Sequence, residues 1–179
     1  MNYFNKILAP TDLSENSSLG LRYALSMAEK CSADLVIVHV ASDQQAWQAI
    51  SDEMGFLSPK VYTWTVDRIV SEATSDLNRF LERYPVGEFR GHSQVKKRVV
   101  LGQVVEKIVD VAREEDADLI VMSPRVHGAL KRLILGSVTD KVVLDAPCPV
   151  LSVCQPRRRG PGRGKRMPLI GGVLRGSEA

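Results

Sequence analysis

The sequence has few cysteines and no long hydrophobic run. Its three cysteines, Cys31, Cys148 and Cys154, are odd in number and form neither a CxxC pair nor a zinc-finger spacing. We therefore predict packing roles for them and no metal site. No stretch approaches the ~18 apolar residues of a membrane span. Asp12 interrupts the apolar amino-terminal segment, so we expect no secretion signal and a cytoplasmic protein.

The charge of the chain is unevenly distributed. The net charge is +3, but the segment from Pro156 onward holds seven basic residues against the single acid Glu178. Because proline, glycine and like charges dominate this segment, we predict one domain over residues 1–155 and a flexible basic tail over 156–179. The tail either makes salt-sensitive contacts with nucleic acid or anionic lipid, or is a solvated extension without a partner. No aromatic residue interleaves its arginines, which argues against base stacking.

Five short apolar runs alternate with longer segments of helical period, at residues 6–10, 34–40, 95–101, 118–123 and 149–153. The alternation is typical of βαβ units, and runs without polar alternation indicate strands that are covered on both faces. Helix starts are expected at residues 14–18, at Gly102 and at Ser137. Residues 42–60 are apolar but irregular, and we predict either a partial helix or a mobile flap there.

Ligands of such sheets bind beyond the carboxyl ends of the strands, where the winding direction switches. Asp12 follows the first strand and could accept hydrogen bonds from a ribose or a base, or could equally cap the first helix. Gly136 and Ser137 open the last helix and resemble a phosphate cradle, although a serine N-cap after a glycine explains the same pattern. His39 is expected to be a packed core residue, and we find no Ser-His-Asp triad, so no catalytic residue is predicted.

Taken in order, several segments resemble the universal stress protein family. They are KILAPTDLSENS, DLVIVHV, VVLGQVVEKIVDVAREEDADLIVMS, LKRLILGSVTDKVV and APCPVLSV. The resemblance implies a single three-layer, doubly wound α/β domain, whose five-stranded parallel sheet has the order 3-2-1-4-5 with helices on both faces. It also implies a role in stress survival without a settled enzymatic reaction. Homodimers of the family often pair through the last strand, which here carries Val150, Leu151, Ser152 and Val153.

The resemblance breaks down at the nucleotide loop. ATP-binding members carry Gly-x-x-Gly after the fourth strand, then nine residues, then Gly-Ser or Gly-Thr. Counting back from Gly136 places Ser123 and Val126 where those glycines belong. A β-branched residue disfavours positive φ, and Pro124 lacks an N–H donor.

The nucleotide-binding site is therefore expected to be incomplete. The retained part of this site would consist of Asp12, Val40 beside an adenine, Gly136 and Ser137. Ser123 and Val126 replace the two glycines of the phosphate-binding loop. We expect weak or no binding of ATP, with a nucleotide-dependent switch that binds ATP or AMP as the alternative. The loops of ATP pyrophosphatases and the acidic residues of phosphoacceptor receivers are both missing, so we predict that the protein is not an enzyme.

Overall fold

The computed structural model describes residues 4–41, 59–84, 94–124, 137–154 and 172–173. Within these ranges six strands and four helices follow one another along the chain. The strands are β1 Lys6–Thr11, β2 Asp34–Ala41, β3 Val95–Leu101, β4 Leu119–Met122, β5 Val150–Ser152 and β6 Gly172–Val173. The helices are α1 Glu15–Cys31, α2 Pro59–Leu81, α3 Val104–Glu114 and α4 Ser137–Asp145.

The sheet has the order β3-β2-β1-β4-β5-β6. The strands β1 to β5 pair in parallel, and β6 pairs with β5 in the antiparallel sense. The predicted five-stranded parallel sheet of order 3-2-1-4-5 is therefore confirmed. The strand β6 was not anticipated, and it lies in the segment for which the sequence predicted a flexible tail.

Alternate residues of the central strands belong to two separate hydrophobic cores, one on each face of the sheet. Ile7 and Ile37 face α1 and α2, where they join a cluster that includes Phe80. Leu8 and Val36 point to the opposite face and pack with α3 and α4. All four of these strand residues are at most 1% exposed. Two covered faces make the domain three-layered, as the continuous apolar runs predicted.

The first two helix starts that the sequence predicted are correct. Ser14 is the N-cap of α1, and its hydroxyl accepts a hydrogen bond from the Ser17 amide at 3.3 Å. Gly102 precedes α3 with a φ of +143°, a backbone conformation that favours glycine. The helix α4 already includes Ser137 as its first residue, so Ser137 is a helical residue and not the N-cap.

Two aspartates fix the amino ends of the strands. Asp118 precedes β4, and its Oδ2 accepts hydrogen bonds from the amides of Asn5 (2.8 Å) and Lys6 (2.9 Å) at the start of β1. Asp34 begins β2 in the same way, with its Oδ1 accepting from the Gln94 amide at 2.8 Å just before β3. Both follow an alanine and precede a leucine. The repeated Ala-Asp-Leu triplet therefore links each of these strands to a neighbouring one.

A buried carboxylate ties α3 to the edge strand β3. Glu115 is 8% exposed and accepts hydrogen bonds from Lys96 Nζ (2.6 Å) and Arg98 Nη1 (2.9 Å). Arg98 also contacts Glu114 at 2.8 Å. The hydrogen bond from Lys96, with a further one from Arg98, holds the pKa of Glu115 below its usual value. This contact stabilises the folded state most when Glu115 is ionised.

Several predictions fall outside the described residues. These concern residues 42–58, Val126, Gly136 and all of the tail except Gly172–Val173. Residues 59 and 60 belong to α2. None of the described helices is both long enough and apolar enough to cross a membrane.

Candidate ligand-binding cleft

A cavity of about 360 Å³ opens at the carboxyl ends of β1, β2 and β4, against the starts of α3 and α4. This is the point where the strand order switches from β1 towards β2 on one side and β4 on the other, the usual ligand position in this architecture. Its described lining residues are Pro10, Thr11, Asp12, Ser17, Val38, Val40, Val104, Ile108, Met122, Ser123, Ser137, Val138 and Thr139. The volume is within the range of small-molecule sites.

The floor of the cavity is apolar. Val38 and Val40 come from β2, Val104 and Ile108 from α3, and Met122 from the end of β4. Val38 is fully buried and Ile108 is 2% exposed, so the floor of the cavity is part of the packed core that these two residues share. Apolar side chains around a slot suit a flat, uncharged ring such as a nucleobase.

Asp12 lies at the polar rim of the cavity. Its Oδ1 accepts hydrogen bonds from both the amide (3.1 Å) and the hydroxyl of Ser14. Ser14, in turn, caps α1. Asp12 is therefore not the cap of α1, as one of its two interpretations required. Its carboxylate orients the capping residue and lines the cavity.

A buried pair of hydroxyls supports the turn that carries Asp12. Thr11 Oγ1 and Ser17 Oγ are 2.9 Å apart, and both residues are 6% exposed. Thr11 Oγ1 also accepts from the amide of Leu13 at 3.1 Å, where the chain takes a positive φ of 60°. His39 is half-buried, and its Nδ1 lies 2.9 Å from the carbonyl oxygen of Thr11. The prediction that His39 is a packed core residue is therefore wrong, because the ring is only half-buried and contacts the end of β1.

The end of β4 is pressed against α1. A Cβ atom built on Gly20 would lie 2.9 Å from the backbone nitrogen of Ser123 and 3.0 Å from the carbonyl carbon of Met122. Ser123 Oγ is buried and has no hydrogen-bond partner among the described residues, and Pro124 is buried beside it. The backbone that would have to open for a phosphate is therefore closely packed.

The structure brings together four of the six residues that the sequence singled out. Asp12, Val40, Ser123 and Ser137 line the same cavity. The other two, Val126 and Gly136, lie outside the described residues. Thr11, Ser17 and the rest of the apolar floor beyond Val40 were missed, although the position of Val38, two residues before Val40 on the same strand, could have revealed part of that floor.

Fold and cleft together define a doubly wound α/β protein with a binding cleft at its switch point. Residues 4–153 match the family model described as the universal stress protein family, and the chain belongs to that family. Universal stress protein YxiE of Bacillus subtilis is 31% identical over 150 residues, which cover 84% of this chain and 99% of YxiE.

Two solved structures share the fold. That of the hypothetical protein MJ0577 has a TM-score of 0.61 at 25% identity, with 88% of this chain and 99% of MJ0577 covered. Universal stress protein MJ0577 comes from Methanocaldococcus jannaschii. A universal stress protein in complex with cAMP matches with a TM-score of 0.50 at 22% identity, over 84% of this chain and 96% of that one.

Proposed function

We propose that this universal stress protein acts in the stress response as a dimeric binding protein and not as an enzyme. Its cleft would take an adenosine-type ligand by the base and ribose and would bind ATP weakly or not at all. The observation that carries this proposal is the convergence of Asp12, Val40 and Ser137 on one cavity with an apolar floor. The coarser conclusion, membership of the family, does not depend on it.

The inner part of the cleft favours a base and a ribose. Val38, Val40 and Ile108 offer apolar surface to a ring, and Asp12 offers a carboxylate at the rim that can accept hydrogen bonds from ribose hydroxyls. Hydrogen bonds to a charged acceptor contribute about 1.5–3 kcal/mol each. This end of the site therefore supplies both shape and orientation.

The outer part suits a triphosphate poorly. Asp12 is the only ionisable side chain among the described lining residues, so none of these residues offers a positively charged side chain to a phosphate. The start of α4 at Ser137 offers backbone N–H groups and a favourable dipole, an effect of about 0.3–1 kcal/mol for an exposed anion. Pro124 supplies no N–H, and the packing of Gly20 against Ser123 restricts movement of that backbone.

A competition between adenosine ligands tests this proposal. The native full-length chain is denatured, and any released nucleotide is identified by chromatography and mass spectrometry. Titration calorimetry then compares adenosine, AMP, cAMP and ATP; cAMP is included because a fold relative was solved with it. We expect the ligands without a triphosphate to bind at least as tightly as ATP. ATP recovered at one per chain would contradict the proposal and favour the nucleotide-dependent switch.

Two variants separate the halves of the cleft. Asp12→Asn keeps an oxygen acceptor for Ser14, so the cap of α1 should survive while affinity for every ribose-containing ligand falls by about tenfold. Ser123→Gly combined with Val126→Gly should tighten ATP selectively and leave adenosine unchanged. An equal effect of the double glycine variant on ATP and adenosine, or an effect of Asp12→Asn on ATP alone, would contradict the division into two halves. Far-UV circular dichroism and thermal unfolding report whether each variant is folded.

The dimer is proposed to form through β5, because the two edges of the parallel sheet differ in charge. The strand β3 presents Lys96, Lys97 and Arg98, and charged side chains discourage pairing with another chain. The strand β5 reads Val-Leu-Ser and has no charge. A second copy would therefore be accepted at β5 more readily than at β3.

Proline scanning tests this interface. The amide of Ile120 donates to Pro149 and the amide of Val153 donates to Met122, so residues 149, 151 and 153 direct their backbone groups to β4. Residues 150 and 152 consequently direct theirs outward. Ser152→Pro removes an outward N–H and should give monomers in sedimentation velocity, whereas Ser152→Ala keeps that N–H and should not. A dimer that survives Ser152→Pro unchanged would point to another interface.

A further inference from the structure

The outer edge of β5 is already occupied within the protomer. Gly172–Val173 forms the strand β6, with Val150 opposite Val173 and Leu151 opposite Gly172. This is the same edge through which the dimer is proposed to form. A strand edge can pair with only one partner strand, so an occupant from the tail and an occupant from a second copy exclude each other.

The hydrogen-bonding direction along β5 identifies the contact. Because residues 149, 151 and 153 direct their backbone groups to β4, Val150 directs both its N–H and its carbonyl outward. In an antiparallel ladder, two residues that face each other in this way exchange both bonds. Val150 and Val173 therefore form the hydrogen-bonded pair, and the Leu151 and Gly172 pair lies beside it without bonds of its own.

The sequence of the tail suits this role. Seven basic residues dominate it, but residues 167–174, MPLIGGVL, contain no charge and lie between Arg166 and Arg175. An uncharged segment can approach the uncharged edge of β5 without removing ions from water. Nineteen residues separate Ser152 from Gly172, and at up to ~3.3–3.6 Å per residue they are ample for an antiparallel return.

We propose that β6 is an intramolecular cap on the β5 edge that must leave before a second copy can pair there. The competition rests on the dimer proposed above, whereas the cap itself does not. A tethered strand acts at a local concentration of the order of millimolar. The pairing spans only two residues and includes a glycine, which weakens a strand. The cap is therefore readily reversible and sets the threshold concentration for self-association.

The test uses the full chain with Val173→Pro, which removes the N–H of Val173, and Val173→Ala as the matched control that keeps it. Sedimentation velocity measures the dimer dissociation constant of each. Both protomers must be uncapped to pair, so the apparent dissociation constant equals the constant of the uncapped chain divided by the square of the open fraction. If the edge of the native chain is open about a third of the time, the dimer of Val173→Pro should be roughly tenfold tighter. Val173→Ala should resemble the native chain.

A dissociation constant that is unchanged or raised by Val173→Pro would overturn the competition. Amide hydrogen exchange at Val150, measured at concentrations where the chain is monomeric, tests the cap without reference to a dimer. Since the edge is taken as open about a third of the time, Val173→Pro should accelerate this exchange by about threefold, and Val173→Ala should not; equally fast exchange in all three proteins would overturn the cap. Absence of a dimer in every variant would refute the proposed dimer, and the exchange data would still decide the cap.

Discussion

Replacement of Gly20 by alanine is expected to destabilise the fold, although alanine is the better helix former. In an exposed helix interior this change stabilises a protein by roughly 0.5–1 kcal/mol. Here the new Cβ would lie 2.9 Å from the backbone nitrogen of Ser123 and 3.0 Å from the carbonyl carbon of Met122. Both atoms belong to the backbone of the β4 end, so neither can move aside as a side chain can.

The magnitude follows from the two opposing effects. Overpacking of a tight contact costs about 1–3 kcal/mol, which exceeds the gain in helix propensity and leaves a net loss of roughly 1–2 kcal/mol. For a chain of this size the melting temperature should fall by about 2–8 °C. Urea denaturation followed by circular dichroism measures the change in midpoint at constant slope.

An exposed position of the same helix provides the control. Ser26 is exposed in the middle of α1, so Ser26→Ala should be neutral or should stabilise the protein by up to ~0.5 kcal/mol. Opposite signs for Gly20→Ala and Ser26→Ala are the expected result. A higher denaturation midpoint for Gly20→Ala would refute the close approach of α1 to the β4 end.

Three further predictions concern other polar groups. Asp118→Asn should cost about 1–2 kcal/mol, because both amides that donate to Asp118 Oδ2 exchange a charged acceptor for a neutral one. Asp116→Asn, at an exposed residue with φ 50°, should be nearly neutral, and an equal loss for both in urea denaturation would contradict the strand link. The folded-state pKa of Glu115 is lowered, so the native protein should be more stable than Glu115→Gln, with the full difference above about pH 4.5 and its loss as the pH falls through the lowered pKa. Urea denaturation over pH 3–7 measures this difference in stability. A difference in stability that grew at low pH would contradict the ion pairs. Burial, and secondarily the charge of Asp118, raises the pKa of Cys148 to about 11, so at pH 8 only about one Cys148 thiol in a thousand is ionised. Mass spectrometry after limited alkylation should therefore find the exposed Cys154 modified before Cys148. The reverse order would contradict the burial of Cys148.

Most of the sheet could be predicted because its determinants are local. The starts of β1, β2 and β3 match the predicted residues 6, 34 and 95. At β1 and β2 a polar residue gives way to a run of apolar ones, whereas in β3 three charged residues separate Val95 from the apolar residues that follow. The predicted fifth strand, 149–153, is two residues longer than Val150–Ser152. The difference is small in physical terms, since Pro149 and Val153 still each form one hydrogen bond with β4, at 3.0 and 2.8 Å.

The cleft could be predicted only in part, because the sequence shows where strands end but does not show how the helices pack across the sheet. Asp12 and Ser123 follow strands, and Ser137 begins a helix, whose limits are visible in the sequence, and these residues do line one cavity. The roles of Gly20 and of the Thr11 and Ser17 hydroxyl pair depend on how α1 lies across the sheet. No local pattern encodes that placement.

The strand β6 could not be predicted for a different reason. Two residues are too few to show a period, and a glycine within a basic, proline-containing segment is typical of a loop. Its pairing depends on an uncharged edge elsewhere in the chain. Composition describes the segment as a whole and does not reveal eight uncharged residues as a unit.

The cationic strand β3 also determines which kinds of assembly the sheet allows. If β3 of one molecule could pair with β5 of the next, each addition would leave a fresh edge exposed and the contact would propagate as a filament. Lys96, Lys97 and Arg98 oppose that head-to-tail contact. Pairing of β5 with β5, by contrast, is closed by a twofold axis and ends at two copies. Neutralising Lys97, which takes no part in the ion pairs of Glu115, would thus put at risk the finite size of the proposed dimer more than the fold of the molecule.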